Sequence, residues 1–218
     1  NDGGAWRFDP KSYRLERVQV DVSNPWGFSF DKWEQPFLSD ASSGENWWAV
    51  PLSAKVPYGI EQIKVEQFVP KRSRPTSGAE FVSSRHFPDA QQGDFMICNS
   101  IGFLGISFGT KHDDGAGFTG KANGDLLSST DGNFRPVDLE FAPDGSLYFI
   151  DWHNPLIGHM QHNARDPNRD HEHGRIYRVT YPGRPLVKPA KVDGATVAEL
   201  LENLKEPEYR TRYRTRRE

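Results

Sequence analysis

The sequence has one cysteine, Cys98, in 218 residues, so no disulfide can form within it and its cysteine content assigns no redox compartment. No apolar run approaches the ~18 residues of a membrane-spanning helix, and no membrane span is expected. Apolar residues make up only 35% of the chain and the mean hydropathy is −0.73, which argues against a helical bundle with broad apolar faces. A basic excess is missing too. The net charge of −3 excludes a generally basic face, and no nucleic-acid partner is expected. The arginine-rich tail (Arg210, Arg212, Arg214, Arg216, Arg217) is expected to be a solvated helix face. The chain starts at Asn1 inside a strand-like pattern and shows no leader, so it reads as a fragment or a processed piece.

What the chain does have is turn residues, with 20 Gly and 16 Pro, and many short alternating runs. One stretch stands out. Val137, Leu139 and Phe141 alternate with polar residues, Pro143-Asp144-Gly145 makes a turn, and Leu147 to Ile150 form an apolar run. The strand pattern returns only at Gly174 to Val179. The insert between them holds five of the seven histidines: His153, His159, His162, His171 and His173. Asp151, Asn154, Arg165, Asp166, Arg169 and Asp170 lie among them. Hairpin loops ordinarily need about two to five residues, so an insert this long and this titratable marks the candidate site.

The same pattern occurs earlier without a gap. Asn24 to Asp40 overlays Arg135 to Asp151, matching Pro25 with Pro136, Phe30 with Phe141 and Asp40 with Asp151. A weaker copy falls between them, with strands expected at 78–84, 93–99, 103–108 and 125–129. Repeated antiparallel units predict an all-β chain, about half of a six-bladed β-propeller, over residues 1–183. Residues 184–195 read as a linker. Thr196 is placed to cap a helix carrying Val197, Leu200, Leu201 and Leu204, so 196–218 reads as the start of a HEAT-like helical repeat.

The insert supports three chemistries. Imidazoles and carboxylates can bind a transition metal, and Asp151, His153, His159, Asp166 and Asp170 are the candidate ligands. An oxygen-rich shell with Asn154 would favour calcium. A histidine held by a carboxylate is a general base, and His153 with Asp151 and His171 with Asp170 are the candidate pairs. The third reading is structural: a long loop must satisfy its own backbone, and Asp, Asn, His and Arg do that well. Elsewhere, Arg85 and His86 follow a strand end, where the planar guanidinium can clamp an anionic or carbonyl group. Trp47-Trp48 reads as a loop pair that either stacks on a sugar or flat cofactor or, as such pairs do more often, packs between blades. Asp40 and Asp151 either point toward a central channel or anchor turns.

Residues 134–138, 143–148, 151–159 and 165–178, with Ser83 to Pro88 and Gly93 to Phe95, resemble a large family described as membrane-bound dehydrogenases of planctomycetes and verrucomicrobia. More distantly the chain is similar to soluble pyrroloquinoline-quinone (PQQ) sugar dehydrogenases. The resemblance implies a quinoprotein-like propeller followed by HEAT-type repeats and a c-type haem domain. It implies a periplasmic or secreted oxidoreductase of sugar or alcohol groups, with PQQ as its cofactor; calcium is the expectation from the oxygen-rich shell above. The single cysteine puts any haem outside this chain. The implied partners are a small-molecule or glycan substrate, the remaining blades and the haem domain. Under this reading Arg85, His86, Arg135, Asn154, His159, Arg165 and Asp166 contact substrate or cofactor. The rival functions are a non-catalytic glycan- or protein-binding propeller and a metal-dependent propeller hydrolase.

Overall fold

A computed structural model describes residues 3–50, 66–157 and 165–218. The chain is mostly β, with two short helices near its end. A hairpin of β1 (Gly3–Asp9) and β2 (Arg14–Val22) comes first. The first sheet then forms from β3 (Pro25–Phe30), β4 (Pro36–Asp40) and β5 (Asn46–Trp48). The second sheet contains β6 (Thr76–Phe81), β7 (Phe95–Asn99), β8 (Gly105–Gly109) and β11 (Ala122–Ser128). A small hairpin, β9 (His112–Asp114) and β10 (Gly117–Thr119), interrupts it. The third sheet is β12 (Pro136–Phe141), β13 (Leu147–Asp151) and β14 (Arg175–Val179). Two elements differ from expectation. Trp47-Trp48 lies in a strand rather than a loop, and the β9–β10 hairpin has no apolar alternation to announce it.

The repeat is physical. Phe28 pairs with Leu38 and Phe30 with Pro36, while Leu139 pairs with Phe149 and Phe141 with Leu147. Both ladders slip just after their first proline, at Pro25/Gly27 and Pro136/Asp138. The turns match as well. Glu34 N–H donates to the Asp31 carbonyl at 3.0 Å, as Gly145 N–H does to Ala142 at 2.9 Å. Glu34 and Gly145 both hold positive φ, at 65° and 79°. Glycine takes that conformation at no steric cost, whereas glutamate does not.

The second sheet is sandwiched. On one side Phe81, Phe95 and Ile97 pack with Phe37 and Phe68. On the other, Met96, Cys98, Ile106 and Phe108 pack with Leu139, Phe141, Leu147 and Phe149. Burial of each such side chain stabilises by roughly 1.5–3 kcal/mol. With both faces covered, β6, β7 and β8 are buried at every position and cannot alternate. This is why the middle copy of the repeat is weak in the sequence.

The first strands of the three sheets, β3, β6 and β12, lie side by side. Ser77 Oγ donates to the Pro136 carbonyl at 3.0 Å, and Thr76 Oγ1 to the Asp40 carbonyl at 3.2 Å. The approach requires glycine at position 78, where a Cβ would meet Asp138 Cα at 2.7 Å. These strands define two ends, an anchor side carrying Asp40, Asn99 and Asp151, and a turn side carrying the hairpin loops. Helices α1 (Val197–Asn203) and α2 (Tyr209–Arg217) follow the third sheet. Thr196 caps α1 as expected, and with Glu199 it forms a capping box. No helix among the described residues is long and apolar enough to cross a membrane.

Candidate functional site

The anchor side is built from strand-end carboxyl and amide groups. At the end of β4, Asp40 accepts the N–H of Asn24 on Oδ2 and that of Ser43 on Oδ1, both at 2.7 Å. Asp151 occupies the equivalent end of β13. Its Oδ1 accepts the N–H of Arg135 at 2.7 Å and of His153 at 2.8 Å. In the second sheet the position is Asn99. There the residue preceding the first strand is Pro75, which has no N–H, and Asn99 Oδ1 takes the Ser73 hydroxyl instead, at 2.9 Å. All three groups hold the chain where it enters a first strand.

Asp151 differs in one respect. It is fully buried and its Oδ2 has no hydrogen-bond partner, and His153 Nδ1 is likewise buried without one. The two atoms lie 3.9 Å apart. Asp131 Oδ2, on the loop before β12, is 3.8 Å from the same nitrogen. These separations exceed hydrogen-bond length. His153 holds a φ of 48°, uncommon for a residue with a side chain. The β13–β14 register sets Arg175 opposite Asp151, and its guanidinium lies 3.5 Å from Asp131. The N–H of Asn133 first, then His153 and Arg175, hold the Asp131 carboxyl below its usual range.

Asp131 is not among the candidates that the sequence offers. Its approach to His153 depends on the packing of two loops that are distant along the chain.

Arg135 does not present its guanidinium to a ligand. It donates to the carbonyls of Asn154 (3.1 Å), Ser100 (2.9 Å) and Pro155 (3.4 Å). Burial lowers its affinity for the proton, with Asp151 opposing. Asn154 is buried beside it and accepts the N–H of Leu156 at 3.3 Å.

The rest of the insert is tied to itself. Asp166 accepts the N–H and amide of Asn168, and its carbonyl faces His171 Nε2 at 3.2 Å. Asp170 accepts the N–H groups of Glu172 and His173, which lower its pKa, and the His173 ring at 3.2 Å. The expected pairing of Asp170 with His171 is thus replaced by Asp170 with His173. The reason is the tight turn, which points the backbone N–H groups of Glu172 and His173 at the carboxylate. His171 and Arg165 are exposed, whereas Arg169 is buried, with its guanidinium 5.6 Å from the Trp152 ring. His159 and His162 lie outside the described residues. Among the described residues no group of three or more His, Cys, Asp or Glu side chains is arranged to hold a metal ion.

Arg85 and His86 are not near this cluster. They sit at the turn side, a strand length away, ~20 Å for six residues. Arg85 does clamp carboxylates, but those of Glu206 and Glu208 in its own chain. A cleft of about 620 Å³ beside it is lined by Arg184, Lys188, Lys191 and Glu206. His86 Nε2 accepts the N–H of Tyr181 at 2.8 Å, which places the ring proton on Nδ1, facing the Pro185 carbonyl at 3.0 Å. The expectation that these two residues contact the same substrate or cofactor as the insert does not fit this separation.

A second cavity on the anchor side, of about 210 Å³, lies between the first and second sheets and is lined in part by Asn46, Thr76, Asn99 and Ser107. Its polar lining is satisfied internally, since Asn99 donates to Ser107 Oγ and to the Ile97 carbonyl. Among the described residues, the unpartnered polar atoms of the anchor side are therefore those of Asp151 and His153.

Comparison with known proteins gives a family. The model for a domain of unknown function, DUF7133, matches residues 49–183, more than half of the chain, and the chain belongs to that family. No curated protein matches the sequence. Among solved structures it is similar to an oxidoreductase assigned as a glucose dehydrogenase from Thermus thermophilus. The identity is 18% and the TM-score 0.48, over 67% of this chain and 43% of that one. It is also similar to a structure titled glucose dehydrogenase, with 22% identity and a TM-score of 0.45 over 65% of this chain and 41% of that one. The chain spans less than half the length of either structure.

Proposed function

We propose that the three sheets are blades of a propeller-type oxidoreductase acting on sugar or alcohol hydroxyls, and that the anchor side faces the substrate. The observation that carries this reading is the buried pair of Asp151 Oδ2 and His153 Nδ1, facing each other without partners. Buried polar groups are nearly always satisfied, and exceptions concentrate where chemistry is done. The resemblance of residues 134–178 to a dehydrogenase family supports it independently. In this reading the carboxylates of Asp151 and Asp131 favour the ring proton on Nδ1 of His153. That leaves Nε2 to accept the proton of a substrate hydroxyl. Asp151 serves twice, since its other oxygen fixes the strand ends that carry both arginine and histidine.

An anionic quinone such as PQQ would need cationic donors, and the two arginines beside the Asp151–His153 pair are engaged, Arg135 by carbonyls and Arg175 by Asp131. Lys71 and Arg74, in the loop before β6, contact only backbone carbonyls.

The test is reduction of an artificial electron acceptor by the full-length protein with a panel of sugars and alcohols. Replacing His153 by Ala is expected to lower kcat/KM by about 100-fold or more with little change in Tm. Full activity in both H153A and D151N would overturn the assignment. Absence of turnover with any substrate, alongside tight glycan binding, would favour the non-catalytic binding propeller.

A further inference from the structure

Helix α2 is not the solvated arginine face expected from its sequence. Tyr209 is buried and stacks on Phe30 at the end of β3, with ring centroids 6.1 Å apart. Arg210 donates to Glu80 of β6 from Nε at 3.0 Å and from a terminal nitrogen at 2.5 Å, and reaches Glu140 of β12 at 2.6 Å. Arg212 donates to the Lys32 carbonyl at 3.1 Å, and Arg216 pairs with Glu34, both in the β3–β4 turn. Just before the helix, Glu208 is buried and accepts both the Arg85 N–H and its Nε. One nine-residue helix therefore touches the turn-side ends of the first strands of all three sheets.

We infer that α2 is a strap that locks the three sheets to one another and closes the turn-side end of their first strands. Arg210 is its centre. Glu80 and Glu140 belong to neighbouring strands of different sheets, and Glu80 is fully buried. Without the guanidinium between them, the buried Glu80 carboxylate would lose its cationic partner and be left beside the exposed Glu140. With it, each sheet is held through the helix to the next. The linker is fastened on the way, because Val187 N–H donates to the Asp144 carbonyl in the β12–β13 turn at 2.8 Å. Tyr209 and Arg212 add the first sheet through contacts independent of that charge triad.

Hydrogen–deuterium exchange on the whole chain tests this, and it needs no substrate, so the strap stands or falls apart from the acid–base reading above. R210A is expected to speed exchange by ten-fold or more in α2 and at the turn-side ends of β3, β6 and β12 together. R217A, whose guanidinium lies only against the Tyr213 ring, should match the parent protein. If R210A does not fold, R212A gives the milder case, with faster exchange expected in α2 and the β3–β4 turn. Acceleration confined to α2, with the strand ends unchanged in R210A or R212A, would overturn the strap.

Discussion

The first and third sheets place an aspartate at the same strand end, and the two side chains are used differently. Asp40 spends both oxygens on backbone N–H groups, whereas Asp151 spends one and leaves the other facing His153. The contrast extends to whole ends of the molecule. On the turn side, Arg85 meets Glu206 and Glu208, Arg210 meets Glu80 and Glu140, and His86 uses both ring nitrogens. Every one of these groups is closed by a partner from the same chain. The anchor side has the same residue types, but its imidazole and one carboxylate oxygen remain open. Residue type therefore does not separate scaffold from site here. What sets Asp151 and His153 apart is an unpartnered carboxylate oxygen facing an unpartnered ring nitrogen; elsewhere the hydroxyls of Ser29, Ser83 and Thr215 and Asp31 Oδ2 are also buried without a hydrogen bond.

That comparison can be broken by substitution. The largest effect is expected for R135A, which strips the buried carbonyls of Ser100, Asn154 and Pro155 of their donor and should cost about 3 kcal/mol in chemical denaturation. Next is the pH response of Glu80, whose carboxyl is pushed up to about 7 by burial, with Arg210 opposing. A carboxyl raised on folding contributes stability that is fully present below its unfolded value near 4.5 and is lost as pH rises through 7. E80Q should remove that slope, worth up to roughly 3 kcal/mol, and denaturation midpoints from pH 4 to 8 would show it. An unchanged slope would place the titration elsewhere.

The aspartate pair gives the sharpest test. D40N must set an amide N–H₂ against a backbone N–H, at a cost of about 1–2 kcal/mol. D151N can keep its accepting oxygen and turn the amide into the open side, so its Tm should move by no more than ~0.5 kcal/mol equivalent while activity falls. Equal destabilisation by the two would mean that Asp151 is only an anchor. The smallest effect is expected for E34G, which relieves a left-handed residue by roughly 1 kcal/mol but gives up the exposed pair with Arg216, leaving a few tenths of gain in Tm measurements.

Much of the architecture was legible from spacing. The gapless overlay of 24–40 on 135–151 anticipated equivalent hairpins; the matching slips after the first proline are visible only in the structure. Alternation was visible in β3, β12 and β13 because one face of each of these strands is wetter than the other. It was invisible in β6 to β8, where both faces are buried, and in the β9–β10 hairpin, which buries little. The pairing of Asp151 with His153 was readable because the two residues are neighbours in sequence. Asp131 was not, and neither was the engagement of Arg85 with Glu208, which lie 123 positions apart.

Taken alone, the order of residues determined the strand repeat, the helix cap at Thr196 and the kinds of titratable group present, because these depend on neighbours a few positions away. The tertiary structure decided which of those groups are spent and which are open, and it turned an arginine-rich tail into a contact across three sheets. Hydrogen-bond satisfaction and desolvation depend on what fills the last few ångströms around an atom, and at this site those neighbours come from distant parts of the chain.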